Sequence, residues 1–181
     1  MHVQKSKTDL KFNVAQLLRE DTGGRRDYSF HEDALPLDET LILRSLGGTV
    51  RFTRSASGVL ADVAATGAVE MPCDRCLAAV IVAVAVRFRD EFHSKIEVNT
   101  GVPLPKPDEE DPFFIDESHL VDLGEAIREY ALIELPMRAL CRPDCKGLCP
   151  TCGADLNVER CSCPQDEPDE RFAALRDLLD S

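Results

Sequence analysis

The stretch VIVAVAVRFRDEF, residues 80–92, decides the fold. Its even positions are Val80, Val82, Val84, Val86, Phe88, Asp90 and Phe92; its odd positions are Ile81, Ala83, Ala85, Arg87, Arg89 and Glu91. In an extended chain successive side chains point to opposite faces. A period of two therefore puts the bulky apolar set on one side and, Ile81 apart, the small or charged set on the other. Fully extended at ~3.3 Å per residue the stretch would span roughly 43 Å, so a bend or bulge is expected within it. Working outward, Val59–Val69 reads as a partner strand, interrupted by Pro72 and preceded by a turn at Ser57-Gly58. Shorter strand-like pieces lie at Tyr28–His31, Leu41–Arg44 and Val50–Arg54. Residues 41–92 are thus expected to form an antiparallel β meander, or a partly closed barrel, with one buried face. Upstream, LKFNVAQLLRE (residues 10–20) passes from alternation into a short amphipathic stretch, and Thr22–Arg26 reads as a turn around Gly23-Gly24.

Downstream the pattern changes. Residues 99–112, NTGVPLPKPDEEDP, form an acidic, proline-rich loop, and Phe113–Ile115 returns as an edge strand. Asp122 and Glu125 have the spacing of a capping box at a helix start. Leu123, Ile127, Tyr130, Ala131 and Ile133 supply that helix with an apolar face, and Pro136 ends it by disfavouring helical geometry at Leu135. The expected organisation of this α+β chain is a mainly β domain (1–98), the loop (99–112), and an edge strand and helix packed on the β domain (113–140). A cysteine-rich, zinc-ribbon-like element (141–163) and a C-terminal helix (164–181, apolar at Phe172, Leu175 and Leu179) complete it.

The chain has 181 residues and a net charge of −12, most of it between Asn99 and Leu135 and in the last 18 residues. A protein that binds nucleic acid with its whole surface should be basic, because neutralising phosphates supplies most of the affinity. An acidic chain suits a basic partner, or a narrow contact through its neutral regions. The start, MHVQKSKTDLKF, lacks the apolar run of a secretory signal, and no window is long and apolar enough to span a bilayer. A cytoplasmic location without membrane association is the expectation.

In a reducing compartment, eight cysteines point to metal ligands or redox thiols before disulfides. They form four close pairs: Cys73/Cys76, Cys141/Cys145, Cys149/Cys152 and Cys161/Cys163. Two sulfurs on one turn can converge on one ion, and tetrahedral zinc takes four thiolates, so four pairs suffice for two complete sites. The strongest local signal is CPTCG, Cys149 to Gly153, followed by Cys161-Ser-Cys163. If Cys73/Cys76 and Cys141/Cys145 share an ion, it staples a β hairpin near Pro72 to the chain after the helix. The alternative is one ion drawn from the six cysteines between Cys141 and Cys163, with Cys73 and Cys76 free. A thioredoxin-type reading of Cys73-Asp-Arg-Cys76 lacks the helix that should follow it to lower the first thiol's pKa, although Arg75 alone could favour a thiolate. All-cysteine sites are mostly closed and structural, which argues against catalysis.

Other signals carry less. The four histidines (His2, His31, His93, His119) share no spacing and read as solvated or loop residues. No nucleophile-elbow, dinucleotide-binding or phosphate-loop motif is present, so no catalytic residue and no small-molecule substrate are assigned. Arg25-Arg26 and Arg44, Arg51 and Arg54 read as a scattered basic face rather than a phosphate site.

FNVAQLL (12–18), RSASGVL (54–60), CDRCL (73–77), RDEF (89–92) and DLGEAIREYALIELPMRALCRPDCKGLCPTCGADLN (122–157) followed by CSC (161–163) together resemble the YceD family of large ribosomal RNA subunit accumulation proteins. The resemblance implies a cytoplasmic protein supporting synthesis, processing or stability of 23S rRNA; with no catalytic constellation in the chain, the expectation is a non-enzymatic ribosome-biogenesis factor. Its implied partner is a large-subunit precursor, met through rRNA or a basic ribosomal protein. The acidic region Asp108–Glu134 is the expected contact for a basic protein. A redox-responsive zinc-binding regulator is the competing class.

Overall fold

A computed structural model describes residues 10–107 and 113–163. Its elements are β1 (Lys11–Asn13), α1 (Ala15–Leu18), β2 (Arg25–Pro36), β3 (Ile42–Arg54), β4 (Gly58–Pro72), β5 (Ala79–Ser94), β6 (Phe113–Ile115), β7 (Leu120–Asp122) and α2 (Gly124–Glu134). Strands β2 to β6 form one sheet in chain order, antiparallel except for the final β5–β6 pair, which is parallel. Strands β1 and β7 make a separate antiparallel pair. The meander is therefore present, but the sheet is open, with β2 and β6 as its edges, and does not close into a barrel.

Alternation in residues 80–92 does what period two requires. Val84, Val86, Phe88 and Phe92 are buried, while Ala83, Ala85, Arg87 and Arg89 are exposed. Across the ladder, Val63 opposes Phe88 and Val59 opposes Phe92; on the next pair Val50 opposes Val63 and Phe52 opposes Ala61. The core is thus the inner face of the sheet, covered by α1, β1, β7 and α2. Phe12 packs tilted on Phe52 at 5.5 Å, and Tyr130 stacks on Phe88 at 4.6 Å. The uncovered face carries a row of alternating charge across four strands, Asp27, Arg51, Asp62 and Arg89 in register, with Arg51 Nε 2.7 Å from Asp27 Oδ1. Opposite charges at directly facing positions stabilise a sheet surface.

Several expectations need correction. The β4–β5 register runs without a shift from Gly58/His93 to Pro72/Ala79, so no bulge interrupts this ladder. A bulge does occur in β3, where the register slips between Arg44 and Gly47 and Ser45 adopts a φ of 51°. That bulge joins Leu41–Arg44 and Val50–Arg54, read as separate pieces, into one strand. The strand containing Val59–Val69 continues to Pro72, whose missing N–H costs nothing at a strand end.

The capping box does not form. Asp122 is held in the β1–β7 ladder opposite Lys11, with its Oδ2 3.2 Å from Lys11 Nζ. Its Oδ1 accepts the Gly124 N–H at 2.9 Å, and Leu123 takes the cap position. Ile133 is 74% exposed, because at 100° per residue it stands about 120° around the helix from Ile127. Leu132 and Leu135 pack against the core at this end of the helix, and Leu135 is already extended ahead of Pro136. His93 is a buried β5 residue rather than a solvated one. The basic side chains are largely engaged within the fold: Arg26 pairs with Glu20, and Arg54 donates to the carbonyls of Leu18, Ser55 and Gly58. The acidic run Asp108–Asp111 and the expected C-terminal helix lie outside the described residues.

Candidate metal centres

The β4–β5 hairpin turn and the chain after α2 meet at one end of the sheet. Cys73 and Cys76 lie in that turn, and the Asp74 N–H donates to Ala139 O at 2.8 Å. This tie brings Cys141 and Cys145 beside them. The four sulfurs lie within 4.8 Å of one another, as do those of Cys149, Cys152, Cys161 and Cys163. The eight thiols therefore fall into two sets of four, and Cys73 and Cys76 are not left apart.

Distance separates the chemistries such sets could perform. A disulfide holds its sulfurs about 2.05 Å apart. Four thiolates around a tetrahedral zinc at ~2.3 Å place neighbouring sulfurs about 3.8 Å apart. Here Cys73 Sγ and Cys145 Sγ are 3.9 Å apart, and Cys76 Sγ and Cys141 Sγ 3.6 Å. All eight cysteines are free. The spacing fits the edges of a coordination tetrahedron, and the donor set is soft, as zinc and similar ions prefer.

The two CxxC turns share one backbone design. In the first, the Cys73 N–H donates to Ala78 O at 2.7 Å and the Leu77 N–H to Cys73 O at 2.9 Å. In the second, the Cys149 N–H donates to Ala154 O at 2.8 Å and the Gly153 N–H to Cys149 O at 2.9 Å. The residue after the second cysteine is left-handed in both, Leu77 at φ 61° and Gly153 at φ 75°. Glycine reaches this region freely; leucine does so at a cost. CPTCG advertised the knuckle through its glycine, whereas CDRCLA disguised the same turn with a leucine. No sequence rule would have found the first knuckle by its turn residue, though the repeated C-x2-C spacing marked it.

Backbone N–H groups around each knuckle favour thiolate. The Cys141 N–H, 3.4 Å from Cys73 Sγ, joins those of Cys76 and Arg75 in lowering the Cys73 thiol to about 6. The N–H groups of Cys152 and Thr151 do the same for Cys149, also to about 6. Crowding with sulfur pushes two thiols up, Cys141 by Cys145 and Cys163 by Cys152, each to about 12. Cys145 is lowered: burial raises it, but the Asn157 side chain and the Gly147 N–H outweigh that. Lowered thiols packed beside raised ones are an arrangement that a divalent cation relieves, since it lets all four ionise.

The second set lacks a full ribbon. Leu148 and Asp155 form a single antiparallel bridge, and residues 141–163 contain no other β pairing and no helix. Among the described residues no third group of cysteine, histidine or carboxylate converges in this way, and no helix is long and apolar enough to cross a membrane.

The chain is 34% identical over 146 residues to an uncharacterized protein of Mycobacterium leprae (strain TN), covering 77% of this chain and 63% of that protein. An uncharacterized protein of Mycobacterium tuberculosis (strain ATCC 25618 / H37Rv) is 31% identical over 143 residues, 77% of this chain and 66% of that protein. The chain thus spans a little under two thirds of the length of these relatives. A shorter match, 36% identical over 58 residues (32% of this chain, 18% of the relative), is to large ribosomal RNA subunit accumulation protein YCED homolog 1, chloroplastic, of Arabidopsis thaliana. No solved structure matches. The family model for the large ribosomal RNA subunit accumulation protein YceD matches residues 61–179, which include both knuckles, and by that match the chain belongs to the YceD family.

Proposed function

We propose that this chain is a non-enzymatic, zinc-held factor that supports synthesis, processing or stability of 23S rRNA in the large ribosomal subunit. Cys73, Cys76, Cys141 and Cys145 hold one structural zinc, and Cys149, Cys152, Cys161 and Cys163 a second. The observation that carries the metal reading is the gathering of each four sulfurs within 4.8 Å, with spacings in the first set too wide for disulfides and right for tetrahedron edges. Four protein ligands close such a site, so the ions order the scaffold and offer no open position for substrate. The link to the large subunit rests on family membership and on the printed name of the Arabidopsis relative.

The factor acts in the cytoplasm on a large-subunit precursor, and its preferred contact is a basic ribosomal protein. The acid-rich segment between Asn99 and Leu135 supplies the attraction, with Glu117, Glu125 and Glu129 among its described members. Two measurements test this. Metal analysis of native protein should find about two zinc per chain; a folded chain without metal refutes the zinc reading. Charge reversal at Asp108–Asp111 should reduce co-sedimentation with large-subunit precursors at low salt, and unchanged co-sedimentation refutes the acidic contact.

A redox-responsive regulator is the second reading. It is favoured by the exposure of one cysteine in each set, Cys141 and Cys152, which an oxidant could approach. Peroxide should then release zinc and alter partner binding; retained zinc under peroxide eliminates it.

A further inference from the structure

The loop that joins the two ligand pairs of the second set does not stay with that set. It folds back so that Asn157 lies on the first. Asn157 Nδ2 donates to Cys145 Sγ at 3.4 Å and to Asp155 Oδ1 at 2.7 Å. Its Oδ1 accepts the Lys146 N–H and Arg142 Nη2, both at 2.8 Å. A primary amide has two N–H donors and two lone pairs, so this side chain is fully used, and all but one of its bonds go to the segment carrying Cys141 and Cys145. Two further bonds tie the second set's segment to the first, and a third braces the first set itself. The Leu148 N–H donates to Arg75 O at 2.9 Å, the Leu156 N–H to Gly147 O at 3.0 Å, and Arg75 Nη1 to Cys145 O at 2.7 Å. Gly147 permits this closeness, since a Cβ there would meet Arg75 O at 2.9 Å.

We infer that the two sulfur sets form one coupled binuclear centre, with Asn157 as the positioning residue that transmits occupancy of the second site to the first. An N–H aimed at a ligand sulfur orients it and offsets its charge, and loss of such an outer partner typically costs 10- to 100-fold in metal affinity. Asn157 stands in the loop between Cys149/Cys152 and Cys161/Cys163, so an ion gathering those four thiolates would pin the loop at both ends. An ion in the second site thus fixes the donor that the first site uses. Linkage makes the effect reciprocal.

This inference rests on the zinc reading, and cadmium-113 NMR of the full chain separates their failures. The metal-free chain titrated with cadmium should show two resonances in the all-thiolate region; fewer would sink the zinc reading itself. In Asn157→Ala, the resonance of the Cys73/Cys76/Cys141/Cys145 site should move and its affinity fall about tenfold against a competing chelator. Asn157→Asp keeps an acceptor for Lys146 and Arg142 while removing the donor to sulfur, and should move the same resonance if the alanine variant fails to fold. Opening the second site with Cys161→Ser/Cys163→Ser should weaken the first site about tenfold when Asn157 is present and leave it unchanged in the Asn157→Ala background. Two resonances unmoved by either Asn157 substitution, or the same weakening in both backgrounds, would overturn the coupling.

Discussion

Leu77 is the residue that best exposes the demands of the cysteine turns. Its left-handed backbone is one that a branched apolar side chain adopts at a cost, and the side chain gains little in return, being 66% exposed. Backbone strain of this kind costs about 1–3 kcal/mol, whereas introducing glycine loosens the unfolded chain by about 0.4–1 kcal/mol. The first term is the larger. Leu77→Gly should therefore raise the stability of the metal-loaded protein by about 1 kcal/mol in denaturant unfolding, and destabilisation would show that the Leu77 side chain makes a contact worth more than its strain. Gly153 already has the favoured residue at the matching place. The cysteine spacing was thus readable from sequence at both knuckles. The left-handed residue was readable only at the second, because leucine gives no local sign of a positive φ.

The turn after β5 is sensitive to acid. Glu97 accepts the Thr100 hydroxyl and N–H, both at 2.6 Å, and the Asn99 N–H at 3.1 Å. The Thr100 hydroxyl, with the backbone N–H groups of Asn99 and Thr100, lowers its carboxyl to about 2 from 4.5. A depressed acid stabilises the folded turn fully above its unfolded-state pKa. That contribution fades as pH falls from about 4.5 and is gone below about 2. Amide chemical shifts of Asn99 and Thr100 should hold steady from neutrality down to about pH 4 and change below it, while Glu97→Gln should abolish the acid step. A step centred near 4.5 would contradict the depressed carboxyl. Sequence reading took residues 99–112 as loop from their prolines, and it had no means of seeing that Glu97 organises the first turn. The start of α2 teaches the same lesson. Asp122 and Glu125 had the right spacing for a capping box, but a competing partner, Lys11 on β1, sits more than a hundred residues away.

In the whole molecule, apolar packing and sulfur chemistry hold different ends. The continuous core from Leu10 to Ala131 includes none of the cysteines, and residues 141–163 are ordered around their thiols with a single β bridge. Chelation of the native protein should therefore speed amide hydrogen exchange in residues 139–157 and in the hairpin turn Cys73–Ala78. Val50, Val63 and Val84 in the sheet should remain protected. Unchanged exchange at the cysteine end would mean that bound metal does not order it. By itself the sequence determined the two central strands of the meander and the buried face of β5, the terminus of α2 at Pro136 and the close pairing of the cysteines, because these depend on side-chain period and on neighbours a few residues apart. Only the tertiary structure decided that the sheet stays open, that β3 carries the bulge, that Cys73 and Cys76 meet Cys141 and Cys145, and that Asn157 donates to Cys145. Each of these depends on groups far apart in the chain, whose approach is set by the packing of the whole and leaves no mark in any local stretch.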